Sequence, residues 1–272
     1  IGFQMSRRMH GVLKQPLYHF GTFMKLCLIF TLFIFSTNSL LSQEKRFNDE
    51  YGVPIIVLTV TDPWLMIIGS DVPSFALYEN GQIIYKKIVD RKEVFYIVKL
   101  DRDQTQSIIK SFGITDSLIN MEKYTEAIGR TDQPTNHLFL NFEKPLMKSV
   151  YGYLNNENNP ARKNVPNSFL TVFDKLLKFT HKNGKKWIPE KVELLVSRYS
   201  HSPEKPVHWP NKWPNLDDST SIKRHEDLYS IYIDKEFFPD FLESKNSLKE
   251  KQAFEINGEK FAVYYRFPFP NF

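Results

Sequence analysis

The stretch Pro73-Ser74-Phe75-Ala76-Leu77-Tyr78-Glu79-Asn80-Gly81-Gln82-Ile83-Ile84-Tyr85-Lys86 decides the reading of the fold. Two runs rich in β-branched and aromatic residues flank Asn80-Gly81. Asn-Gly is the strongest short-range hairpin signal, because both central residues of a type I′ turn need positive φ. Pairing Glu79 with Gln82 sets Leu77 opposite Ile84 and Tyr78 opposite Ile83. Side chains alternate across a strand, so both faces of this hairpin are apolar and the sheet that contains it is expected to be covered on both sides.

Working outward, the β-branched run Ile55 to Val60 precedes the hairpin and Val94 to Val98 extends it. Asp101 has the chemistry of a helix N-cap, and Gly113 that of a C-terminal stop after Ile108, Ile109 and Phe112. Thr135 to Phe142 and Met147 to Tyr153 read as an antiparallel pair. Phe169, Leu170, Phe173, Leu176 and Leu177 recur at helical spacing behind Pro166, with Lys182, Asn183 and Gly184 as the closing residues. Beyond them come a strand at Val192 to Leu195, a Pro- and Trp-rich passage from Pro203 to Pro214, a strand at Tyr229 to Ile233 and a short helix near Glu236 to Glu243. A second Asn-Gly hairpin follows, in which Phe254 faces Phe261 and Glu255 faces Lys260. The expected class is α+β: a mainly antiparallel sheet with Asn-Gly hairpins and two or three packed helices, in two subdomains, 53–184 and 187–272, divided at Gly184-Lys185-Lys186.

The net charge of +5 would point to an anionic partner were it spread over the chain. It is not: residues 1–42 hold Arg7, Arg8, Lys14 and Lys25 and no acid, which carries +4 and leaves +1 for residues 43–272. A body so nearly neutral lacks the footprint of phosphate-backbone binding, so nucleic acid is set aside.

Met24-Lys25 leads into the apolar run Leu26 to Phe35 and then into Ser36-Thr37-Asn38-Ser39. A positive start, a short apolar core and a small-residue exit make a signal peptide over 24–42, with the mature chain expected to start within Leu40 to Gln43. The run is far below the roughly 20 residues of a spanning helix, and no transmembrane segment is expected in the mature chain. Residues 1–23 precede this leader and read as an upstream extension. Cys27, the single cysteine, sits inside the leader, so the mature chain carries no disulfide, thiol nucleophile or cysteine metal ligand. Export without disulfides fits a bacterial periplasmic or secreted protein.

The first half also resembles a family of uncharacterised exported bacterial domains common in Bacteroidetes-type secreted proteins. The resemblance covers roughly 55–182. It rests on the strand, Tyr78-Glu79-Asn80-Gly81 and the following β-branched strand, on the helix ending near Gly113, on Tyr124, on Thr131-Asp132-Gln133-Pro134-Thr135, and on the closing amphipathic helix. Members often carry cysteines just before the hairpin strand, where this chain has Gly69-Ser70-Asp71-Val72-Pro73. The resemblance implies compartment and fold, and no activity.

Phosphate loops, nucleophile elbows, zinc-protease motifs and dinucleotide fingerprints are all missing from the sequence, and neither a cofactor nor a metal site is expected. Asp132 and His137 are the candidate acid/base pair of a hydrolase; Asp132 before Gln-Pro-Thr equally suits a turn that caps its own backbone. His201, His208, His225, Glu226 and Asp227 could ligate metal, but their spacing matches no zinc pattern. Trp209 and Trp213, with His208 beside them, could form a stacking platform for a glycan or protein of the cell envelope, or else fill the core. The leading expectation is a non-catalytic binding or structural module; a hydrolase and a glycan-binding module are the alternatives.

Overall fold

The structure, a computed structural model, describes residues 48, 50–64 and 71–272; the leader and its cleavage region lie outside the described residues. The chain is mixed α and β, dominated by strands in two sheets. The first sheet uses β1 (Pro54–Thr61), β2 (Pro73–Tyr78), β3 (Gln82–Val89), β4 (Lys92–Lys99), β5 (Tyr124–Glu126), β6 (Thr135–Asn141), β7 (Pro145–Tyr151) and β8 (Lys185–Lys186), in the order β5-β7-β6-β1-β2-β3-β4-β8. The second uses β9 (Lys191–Arg198), β10 (Val207–His208), β11 (Ile222–His225), β12 (Leu228–Asp234), β13 (Phe254–Ile256) and β14 (Glu259–Arg266), in the order β10-β13-β14-β9-β12-β11. Neighbours are antiparallel except β5/β7 and β10/β13. The helices among the described residues are α1 (Arg102–Phe112), α2 (Asp116–Asn120), α3 (Asn167–Leu177) and α4 (Phe238–Asn246). None is long and apolar enough to cross a membrane.

The two-sided apolar pattern of β2 explains the layering. All six of its residues are buried. Phe75 and Leu77, with Ile56, Leu58, Ile83 and Tyr85, face one core, where α1 contributes Phe112 and α3 contributes Phe169, Val172, Phe173 and Leu176. Ala76 and Tyr78, with Val57, Ile84 and Phe95, face a second core built with Val192, Leu194, Val196, Ile231, Ile233 and Phe261 of the other sheet. The helices α1, α2 and α3, the first sheet and the second sheet thus stack as three layers, while α4 packs Phe238 and Phe241 into the second core.

The stretch 184–186, read from sequence as a boundary, contributes β8, which pairs Lys186 with Tyr96 at the edge of the first sheet. Each sheet comes from one side of that point, yet the second core draws on both sides.

Local chemistry accounts for the element ends. Asp101 caps α1, its carboxylate accepting from Gln104 N at 2.8 Å while Gln104 Oε1 accepts from Asp101 N at 3.2 Å. Gly113 ends α1 in the left-handed region at φ 76°. The helix α3 stops at Leu177, short of the expected 182–184, because Phe179 turns back into the first core and meets Phe75 and Tyr85 edge to face at 5.2 and 5.0 Å.

The first hairpin departs from the expected register. Leu77 lies opposite Ile83, and Ala76 opposite Ile84, so the loop has three residues. Gly81 alone of the Asn80-Gly81 pair takes positive φ, 83°, as in a turn closed by a left-handed glycine. Asn80 is held by tertiary bonds, its amide donating to Glu50 O at 2.5 Å while its carbonyl accepts from Gln82 N at 2.9 Å. At the second pair, Asn257 and Gly258 stand at φ 50° and 80°, with Phe254 opposite Phe261 and Glu255 opposite Lys260.

These two glycines differ in surroundings. A Cβ on Gly81 would lie 2.4 Å from Leu100 O and 2.8 Å from Thr105 Oγ1, whereas one on Gly258 meets nothing within 4 Å. Gly258→Ala is expected to cost about 1–2 kcal/mol, the left-handed penalty alone, and Gly81→Ala distinctly more. Denaturant titration of the two variants checks this; equal losses would show that the Leu100 contact carries no weight.

Candidate functional site

Asp132 and His137 are not paired. Asp132 is exposed in a turn at φ 62°, where its carboxylate accepts from Thr131 Oγ1 at 3.2 Å. His137 is set by register in the row Thr59–His137–Ser149 across β1, β6 and β7, and its Nδ1 lies 2.9 Å from Ser149 Oγ. Burial pushes the pKa of the imidazole below its ordinary value.

Trp209 and Trp213 lie in the core and present no platform for a sugar ring. They are 4% and 3% exposed and meet edge to face at 5.0 Å. Trp209 packs on Phe254 and donates its indole N–H to Pro214 O at 2.9 Å, while Trp213 packs on Phe241. The strap is extended only at β10, which pairs with β13 and leaves His208 exposed, and it then turns between the two tryptophans, Trp213 N donating to Pro210 O at 3.0 Å. Among the described residues no three metal-capable side chains converge. His225 ends β11, and Asp227, beyond it, pairs with Arg198 at 3.1 Å.

The feature with the geometry of a binding site lies where two strands run past their neighbours. β14 has eight residues, yet β13 pairs only with Glu259 to Phe261, so among the described residues no strand lies beside its far half on that side. β4 likewise has eight residues; β8 pairs with Tyr96 and Ile97, Trp187 N donates to Phe95 O at 2.9 Å just beyond, and among the described residues Lys92 to Val94 have no strand beside them on that side. Between these two edges opens a cleft of about 490 Å³. Its floor is aromatic: Phe95, Trp187 and Phe267 stand 5.4–6.3 Å apart, centroid to centroid. One wall is formed by α4, where Phe238 packs on Tyr265 at 5.0 Å with Leu242 beside it, and Ile188 stands at the opening, 41% exposed.

The rim is basic. Among the described residues Lys92, Lys186, Lys245 and Arg266 line it, with Glu93 as the single acid. Glu93 is held by Lys86 at 2.7 Å. Arg266 is engaged from behind, its Nε donating to Glu193 Oε2 at 2.6 Å and its Nη1 to the Asp71 carboxylate at 2.5–2.6 Å. Glu193 is 2% exposed and also accepts from Ser230 Oγ at 2.5 Å and Arg224 Nη2 at 2.7 Å. Burial pushes the Glu193 carboxyl up, but the bonds from Arg266 and Ser230 and the two guanidinium charges outweigh it and hold the group below the usual carboxylate range. Lys245 Nζ donates to Val263 O at 2.6 Å, which satisfies a carbonyl on the open edge of β14, and stands 4.9 Å from the Tyr264 ring centroid. Burial pushes its pKa down.

A second groove, of about 450 Å³, runs beside Phe179 on the helical side. Two of its cations, Lys86 and Lys178, are already paired with Glu93 and Glu157.

The residues of the cleft escaped the reading of the sequence because no local spacing unites them. The available signals were Trp187 directly after Lys185-Lys186 and the aromatic, basic run Tyr264-Tyr265-Arg266-Phe267. Comparison with family models, with curated proteins and with solved structures finds no match for this chain.

Proposed function

We propose that this chain is a non-catalytic binding module exported to the bacterial envelope, and that its ligand sits in the cleft between β4 and β14. The observation that carries the reading is the pair of open strand edges enclosing an aromatic floor. Most open edges are blunted or covered, and concave apolar sites with a few polar groups are the form that small-molecule sites take. In this reading the halves 53–184 and 187–272 act as two walls of one site. Export is supported by the leader pattern at 24–42. A hydrolase built on Asp132 and His137 has no support from the hydrogen bonds of either residue, which run to Thr131 and Ser149.

A neutral apolar fluorophore, N-phenyl-1-naphthylamine, is expected to bind saturably with enhanced emission. Ile188→Asp places a charge at the opening and should weaken binding at least tenfold. Stability should change by less than about 0.5 kcal/mol, as for an exposed position. Absence of saturable binding, or equal binding by the variant, would overturn the reading.

A further inference from the structure

We infer that the cleft takes a small organic anion, a carboxylate joined to an apolar body, with Lys245 as the anchor of the carboxylate. The inference rests on the cleft being the binding site and names the chemistry of its occupant.

The argument starts from charge. Among the described residues Lys92, Lys186 and Lys245 have no carboxylate partner, the acid among them is taken by Lys86, and Arg266 is saturated by Glu193 and Asp71. The cleft therefore presents uncompensated positive charge over an aromatic surface. Aromatic floors alone would suit a quaternary ammonium ion. Here three lysines repel a cation and attract an anion.

Lys245 is singled out among the three by its geometry. Lys92 and Lys186 are exposed, and their charges are spent largely on water. Lys245 is part-buried on α4, its stem lies along the cleft wall, and one of its three N–H donors is fixed on Val263 O. That bond fixes the position of the ammonium group and leaves it further N–H donors to offer a carboxylate. A charge-assisted bond of this kind is roughly twice as strong as a neutral one. Phe238 and Leu242 share a face of α4 with Lys245 by helical spacing, Tyr265 packs on Phe238, and together they offer the surface along which the apolar body would run. The volume of about 490 Å³ falls within the range of roughly 300–1,000 Å³ typical of small-molecule sites. Inorganic phosphate or sulfate would leave that surface wet, which is why the occupant is amphipathic.

The test is isothermal titration calorimetry of the mature chain with two acids, naphthalene-1-acetate and dodecanoate, each against its own neutral amide. The aromatic and aliphatic pairs distinguish the two kinds of apolar body. At least one acid should bind ten times or more tighter than its amide. Lys245→Gln keeps an N–H for Val263 O and removes the charge; it should abolish the preference while leaving amide affinity within twofold. Lys245→Arg should retain the preference, which separates charge from any disturbance of the helix. Lys249→Gln, at an exposed lysine paired with Glu204 outside the cleft, should behave as the parent. Acids and amides binding equally to the parent would overturn the anion assignment while the cleft reading stands. A preference that survives Lys245→Gln would overturn Lys245 as the anchor. No binding by acids or amides overturns the inference, and the neutral fluorophore then decides separately whether the cleft binds anything.

Discussion

Arg266→Met is expected to lower the free energy of unfolding by about 3 kcal/mol, the lower end of the roughly 3–5 kcal/mol seen when one partner of a buried ion pair is removed. The loss arises mainly from what is left behind. Glu193 is 2% exposed and sits in the row Tyr232–Glu193–Arg266 across β12, β9 and β14, so it cannot turn out to water without breaking the sheet. Without Arg266 it retains Ser230 Oγ and Arg224 Nη2, which is why the lower end applies. The double variant Glu193→Gln/Arg266→Met should lose less than the sum of the single variants, because the orphaned charge is removed with its partner. Strict additivity would show that the pair is not coupled.

The pH dependence has a definite sign. The folded-state pKa of Glu193 is depressed, so the stability it contributes is fully present above its ordinary value of about 4.5 and is lost as pH falls through the folded value. The deficit of Arg266→Met relative to the parent should therefore be largest near pH 7 and shrink as pH drops below about 4.5. Urea titrations at several pH values read this directly, and a deficit that grows on acidification would reverse the assignment.

Trp209→Ala should destabilise the chain by about 3–5 kcal/mol, through lost burial and the cavity left beside Trp213 and Phe254. Trp213→Ala, 3% exposed against Phe241, should fall in the same range. Phenylalanine distinguishes the two sites. Trp209 donates its N–H to Pro214 O, whereas Trp213 Nε1 is buried with no hydrogen-bond partner among the described residues. Trp209→Phe should therefore cost about 1 kcal/mol more than Trp213→Phe, the net worth of one hydrogen bond. Neutral alanine variants at both positions would contradict the burial of the strap.

The readable parts of this chain were those settled within a few residues. The Asp101–Gln104 cap and the Gly113 stop involve bonds spanning four residues or fewer, and side-chain type alone names them. The apolar residues on both faces of Pro73–Tyr78 required two covered faces, because strand side chains alternate whatever the sheet order. The first hairpin was less readable, since Asn80 is held by Glu50, thirty residues away, and Gly81 O accepts from Leu100 N. The tryptophans could not be placed from sequence, because burial and display use the same residue type and only the packed sheet beneath them chooses.

The amino-acid order by itself determined the mixed α and β class with mostly antiparallel strands, the ends of α1 and the two-sided character of the first sheet, since each follows from periodicity or from a cap within one turn. Only the tertiary structure decided the cleft. Its walls come from residues 92–95, 186–188, 238–245 and 264–267, and they meet because β13 and β8 stop early beside longer neighbours. A strand edge is open or covered according to which other strand lies beside it, and that is a property of sheet order between distant segments, to which no local spacing of residues responds.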